Sequence, residues 1–136
     1  FSKVFIQGLP AYRPGLSAIR RGLEVGMAHG YLLFGPFAVT GQFRNTAYAD
    51  LAGVISASIL VMILTLCLSL HASVTTQSPL ASVTAPNVPP ELKTKEGWSE
   101  FAGGFLLGGI GGAVFAYAVT LVVKSGVLAT FANGIG

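Results

Sequence analysis

The sequence predicts an all-α integral membrane protein, a single membrane domain over residues 1–136 that crosses the bilayer three times. Three observations predict it. The chain is 52% hydrophobic and only 10% charged, with a mean hydropathy of +0.70, whereas soluble domains carry about 25% charged residues. Its eight basic and five acidic side chains fall mostly in short clusters. Between those clusters lie three apolar stretches long enough to traverse hydrocarbon.

Residues 1–21 mix Gly8, Pro10, Pro14 and Gly15 with aromatic and basic residues, which predicts an irregular segment lying on one membrane face. The first span is expected at 22–40, nineteen residues that rise about 28 Å as a helix. Glu24 and His29 make it the most polar of the three, and Gly35-Pro36 should kink or fray its far end. A link at 41–50 leads to the second span, 51–72, in which twenty uncharged residues precede His71. Asp50 stands where a carboxylate caps a helix start and complements its dipole. A connection at 73–100 is rich in Ser, Thr and Pro, including Pro79, Pro86, Pro89 and Pro90. It cannot build a packed core and belongs outside the bilayer. The third span, 101–123, has no charge between Glu100 and Lys124. The tail, 124–136, is apolar but too short to cross.

Three crossings put the termini on opposite sides. The N-terminal segment and the second connection together carry Lys3, Arg13, Arg20, Arg21, Lys93 and Lys95, against Arg44 and Lys124 on the other side. The positive-inside rule then places the N-terminus on the cytoplasm-equivalent face. The same rule explains the net charge of +3 as a membrane-surface flank, so no nucleic-acid partner is expected. Cys67 is the single cysteine; it forms no intrachain disulfide and reads as a small packing residue.

Ionisable groups within a span are costly, which makes Glu24 and His29 the candidate site residues. Glu24 lies four residues after Arg20 and three after Arg21, spacings that suit an ion pair at the helix start as well as a ligand role. His29 stands about 10 Å beyond Gly22, too deep to be hydrated easily. Its neutral imidazole suits axial coordination to the magnesium of a chlorophyll or to haem iron, or acceptance of a hydrogen bond from another helix. The two residues diverge by about 140° around a helix, so they do not chelate one ion and suit two separate pigments. Gly26 and Gly30 leave a shallow surface for a flat macrocycle or for a neighbouring helix. Gly104, Gly108 and Gly112 repeat every fourth residue and predict an intimate helix partner without identifying it. His71 reads as a hydrated interfacial histidine, with ligation as the alternative. Trp98, Tyr31, Tyr48 and Tyr117 suit interfacial anchoring or packing. No zinc-type spacing, phosphate loop or nucleophilic triad is present, so no enzyme activity is expected.

The string RRGLEVGMAHGYLLFGPF at 20–37, with LAGVISASILVMILTLCLSL in the second span and EGWSEFAGGFLLGGIGGAVFAY at 96–117, resembles the photosystem I reaction centre subunit XI (subunit L) family. The resemblance implies a thylakoid subunit at the edge of the reaction centre, its N-terminus and long connection stromal and its tail lumenal, with a chloroplast source favoured over a cyanobacterial one. It implies chlorophyll a, β-carotene or another carotenoid, and bound lipid as cofactors. Glu24 and His29 match the family's axial magnesium ligands. Implied partners are the photosystem I core and small membrane subunits, light-harvesting antenna, and trimer partners in cyanobacterial forms. Excitation would pass through the subunit to the core. The alternative is a haem-bearing anchor of a respiratory complex, against which stand the unequal depths of His29 and His71. A proton-conducting subunit using Glu24 and His29 is a third reading, and the other spans supply no continuation for its relay.

Overall fold

The computed structural model describes residues 2–74, 88–126, 130, 133 and 134. The described residues form helices α1 (Ser2–Gly8), α2 (Ala18–Thr40), α3 (Ala49–Val74) and α4 (Lys95–Lys124), with a 3₁₀ turn at Pro90–Lys93 before α4. Residues 75–87, which hold Pro79 and Pro86, and most of the expected apolar tail lie outside the described residues.

The N-terminal segment departs from the irregular form expected of it. Ser2–Gly8 is helical, because no proline interrupts it and the chain leaves the helix only where Gly8 and Pro10 intervene. Turns follow, with Gly15 at φ +87°, a left-handed conformation that glycine adopts at little cost. Ser17 then caps α2, its side chain accepting a hydrogen bond from the Arg20 N–H, so the helix begins one turn before the predicted span. It also runs through Gly35-Pro36 to Thr40 instead of fraying there. Pro36 removes one helical donor close to the end, and the Thr40 hydroxyl donates to the Pro36 carbonyl one turn on.

The far side of the 73–100 connection is likewise more ordered than predicted. Thr94 accepts from the Gly97 N–H at 2.9 Å and caps α4, which takes in Lys95–Glu100. The Trp98 indole donates to the Leu92 carbonyl at 2.8 Å and ties the helix to the preceding 3₁₀ turn. Sequence signals place the start of this helix at 101, just after the last charge, whereas the cap sits seven residues, nearly two turns, earlier.

Interlocking glycines set how the helices meet. A Cβ at Gly22, Gly26 or Gly30 of α2 would fall 2.0, 2.4 or 1.8 Å from the carbonyl oxygen of Phe101, Phe105 or Gly109 of α4. Reciprocally, a Cβ at Gly104, Gly108 or Gly112 would meet the Ile19, Leu23 or Met27 carbonyl at 2.0–2.2 Å. The partner that the sequence left open is therefore α2, and the two helices ascend in the same direction. α3 runs the opposite way, with Val61 against Gly109 and Gly53 against Ala38. Phe34, Ala38, Val54, Ala57, Ala113 and Ala116 form the apolar core at the end of the bundle remote from Ser17.

Asp50 does not act as the predicted cap. Its Oδ2 pairs with Lys124 Nζ at 2.7 Å, joining the first turn of α3 to the last turn of α4, where each charge complements its own helix dipole. Lys124 is 61% exposed, so the pair contributes about 0.2–1 kcal/mol. Lys124→Met is expected to lower thermal stability in detergent by that small amount at low salt. At high salt the difference should close, since exposed charges are screened.

α3 and α4 are long and apolar enough to cross a membrane, and only 22% and 28% of their most apolar windows are buried within the bundle. Core helices of a soluble protein would be mostly enclosed, whereas here large side chains such as Leu66 and Leu107 face outward, each 65% exposed. α2 has the length, but Glu24 and His29 dilute its apolar content, and it is not among the helices that qualify by composition.

Candidate functional site

The divergence of Glu24 and His29 around α2 becomes two grooves on opposite sides of the α2–α4 seam. Glu24 stands at one end of a groove of about 800 Å³ that includes Met27, Tyr31, Leu107, Gly111 and Phe115. Gly108 and Gly112 belong to its floor, so the same small residues that allow the helices to approach also keep the floor shallow. His29 lines a second groove of about 360 Å³ with Val25, Leu64, Cys67, Leu68, Phe101 and Phe105, contributed by α2, α3 and α4. Both walls are almost wholly apolar. Cys67, which reads as a small packing residue in the sequence, is exposed and lines this groove.

The imidazole geometry is informative. His29 Nδ1 lies 2.8 Å from the Val25 carbonyl oxygen, and a carbonyl only accepts, so Nδ1 carries the proton. In the neutral imidazole Nε2 is then the nitrogen with a free lone pair, the arrangement by which proteins fix the tautomer of a metal-ligating histidine. The Phe105 ring, its centroid 5.7 Å from that of His29, backs the imidazole on the α4 side.

Glu24 is held differently. Its carboxylate lies 3.7 Å from an Arg13 nitrogen and 3.9 Å from Arg20 Nε; Oε2 is buried and receives no hydrogen bond. The Arg20 pairing follows from the helical spacing, but Arg21 turns away from Glu24. It is 2% exposed, donates through one nitrogen to the carbonyls of Pro10, Ala11 and Arg13, and places Nε 3.6 Å from Glu91. Reading the basic cluster as a surface flank missed this role, and spacing alone carries no signal for it. Arg13 was likewise read only as a flank.

His71 is not brought to either groove. Its ring meets Trp98 edge to face at 4.7 Å at the N-terminal end of α4, so His29 and His71 do not converge on one site. Among the described residues no three of His, Cys, Asp and Glu come together as a metal cluster.

A family model described as photosystem I reaction centre subunit XI matches residues 1–125. The chain belongs to that family. A subunit XI protein of Crocosphaera subtropica is 59% identical over 116 residues, 85% of this chain and 74% of the relative. One from a Nostoc species is 60% identical over 118 residues, 87% and 69% of the two chains. A third, from a Picosynechococcus species, is 58% identical over 123 residues, covering 90% and 81%. Subunit XI membership agrees with the resemblance read from the sequence and not with the respiratory-anchor alternative. These relatives are cyanobacterial, so they lend no support to the chloroplast source expected from the sequence.

Proposed function

We propose that the chain is a non-catalytic, pigment-binding subunit of photosystem I that crosses the thylakoid membrane three times, with α2 crossing as well as α3 and α4. Its N-terminus faces the cytoplasmic or stromal side, in keeping with the basic cluster at that end, and the end of α4 faces the lumen. Length supports the crossing of α2, since 23 residues rise about 35 Å. Glu24 and His29 are then buried in hydrocarbon only at the cost that functional residues bear.

The observation that carries the reading is the hydrogen bond from His29 Nδ1 to Val25, which leaves Nε2 as a neutral donor for the magnesium of one chlorophyll a. Glu24 offers a carboxylate oxygen to a second in the larger groove. The donor types fit a macrocycle metal, and the apolar walls fit its faces and tail. Bound there, chlorophyll supplies light absorption and transfer of excitation towards the reaction centre. Tyr31 and Leu32 are shared between the Glu24 groove and an opening of about 410 Å³ that reaches Asp50 and Lys124. The resulting trough suits a carotenoid or a lipid chain. The outward apolar faces of α3 and α4 supply contacts with the photosystem I core, small membrane subunits, antenna or trimer partners.

The test is His29→Leu in the intact photosystem. One chlorophyll per reaction centre should be lost, with a discrete bleach in the difference spectrum and the subunit still present. An unchanged pigment count with an unchanged spectrum would remove His29 as a ligand.

A further inference from the structure

We propose that Arg13 is the positioning residue of the Glu24 pigment site, orienting that carboxylate from outside the helix that carries it. The proposal rests on the reading of Glu24 as a ligand and adds a residue to it. A carboxylate at the mouth of an apolar groove needs a counter-charge, because burial of an unpaired charge is strongly unfavourable. Two guanidinium groups are in range, and Arg13, itself 45% exposed, differs from Arg20 in how it is anchored. Arg20 is 63% exposed on the surface of α2, free to exchange its partner for water.

Arg13 is fixed at three points. Its Nε donates to the Gly8 carbonyl at 3.1 Å, its own carbonyl accepts from Arg21, and its terminal nitrogen lies 3.7 Å from Oε2 of Glu24. Arg13 faces Oε2, the buried oxygen, whereas Oε1 has the exposed Arg20 at 3.9 Å, the partner that a ligand would displace. The hold on Arg13 also reaches further. Arg21, buried and paired with Glu91, ties the turn that carries Arg13 to the 3₁₀ turn preceding α4. The N-terminal turn therefore reaches the groove only through the Arg13–Glu24 pair, and the 3₁₀ turn acts on it through Arg21.

The experiment compares Glu24→Leu, Arg13→Gln, Arg13→Lys and Arg21→Met in intact photosystem I, reading chlorophyll per reaction centre after a fixed detergent wash and the low-temperature absorption difference spectrum. Glu24→Leu should remove one chlorophyll. Arg13→Gln should lose at least half of that same chlorophyll, with a bleach at the same wavelength, and Arg21→Met should reproduce the bleach by releasing the Arg13 carbonyl. Arg13→Lys, which keeps the charge but not the planar fork, should restore the count while displacing the band. Full count and a flat difference spectrum in Arg13→Gln, alongside a lost pigment in Glu24→Leu, would overturn the role of Arg13 and leave the Glu24 ligand standing. No loss in Glu24→Leu would overturn both. Should the Arg13→Gln subunit leave the complex, Arg13→Lys decides, an unmoved band overturning the proposal and a displaced one at full count supporting it.

Discussion

Gly30→Ala is expected to separate α2 from α4 and to prevent the subunit from accumulating in the photosystem. The added methyl would sit 1.8 Å from the Gly109 carbonyl oxygen and 2.7 Å from its carbon, and neither belongs to a side chain that can rotate away. Relief requires the helices to move apart, which also opens the contacts of Gly26 with Phe105 and of Gly112 with Met27. Overpacking in a well-filled core costs about 1–3 kcal/mol, and this substitution should reach or exceed the top of that range because backbone is the obstacle. Gly103→Ala is the matched control, since a Cβ there meets nothing within 4 Å and alanine favours the helix by about 1 kcal/mol. Subunit abundance per reaction centre and thermal loss of helicity in detergent measure the contrast. Equal behaviour of the two variants would show that the glycine seam does not set the interhelical distance.

The second large effect is expected at Arg21. Arg21→Met leaves Glu91 as a partly buried carboxylate without its partner and strips a donor from three carbonyls. Breaking a fully buried pair from one side costs about 3–5 kcal/mol, and the cost here should fall below that range because Glu91 keeps 35% of its side chain exposed. The loss should be local, freeing the turns at 9–17 and the 3₁₀ turn at 90–93 while α2, α3 and α4 stay packed. Hydrogen exchange reads this directly as lost protection in those two segments, with the glycine seam still protected. Removing the acid as well, in Arg21→Met with Glu91→Gln, should recover part of the loss, since the unpaired charge is gone. Unchanged exchange in the single variant would mean that Arg21 does not fasten the N-terminal turn.

The contrast between these positions shows how much of the molecule was legible in the sequence. The apolar stretches of α3 and α4 could be read because lipid selects side chains by hydrophobicity alone, a property of composition. The separation of Glu24 and His29 could be read because helix geometry fixes angles between residues on one element, and the two grooves follow it. The small-residue repeat at Gly104, Gly108 and Gly112 announced a partner, but the identity of that partner depends on which carbonyls lie opposite. Arg21 was illegible for the same reason: neighbouring arginines carry identical local signals, and only tertiary structure distinguishes Arg20 in water from Arg21 under the N-terminal turn. Asp50 was misread because a carboxylate at a helix start suits a cap as well as a cross-helix pair, and Lys124 is remote in sequence. α1 and the early start of α4 went unseen because proline and charge mark where a helix cannot continue more clearly than where a cap begins one.

The seam between α2 and α4 joins residues as far apart in the chain as Gly30 and Gly109. During synthesis at roughly 5–20 residues per second, the earlier half of that seam waits on the order of 4–16 s for its counterpart. Through that interval the backbone ridge of α2 lacks the helix it packs against. Biogenesis of the bundle is thus a sequential process in which the first helix is held incomplete until the last one leaves the ribosome, and a truncation before Phe101 would strand it there.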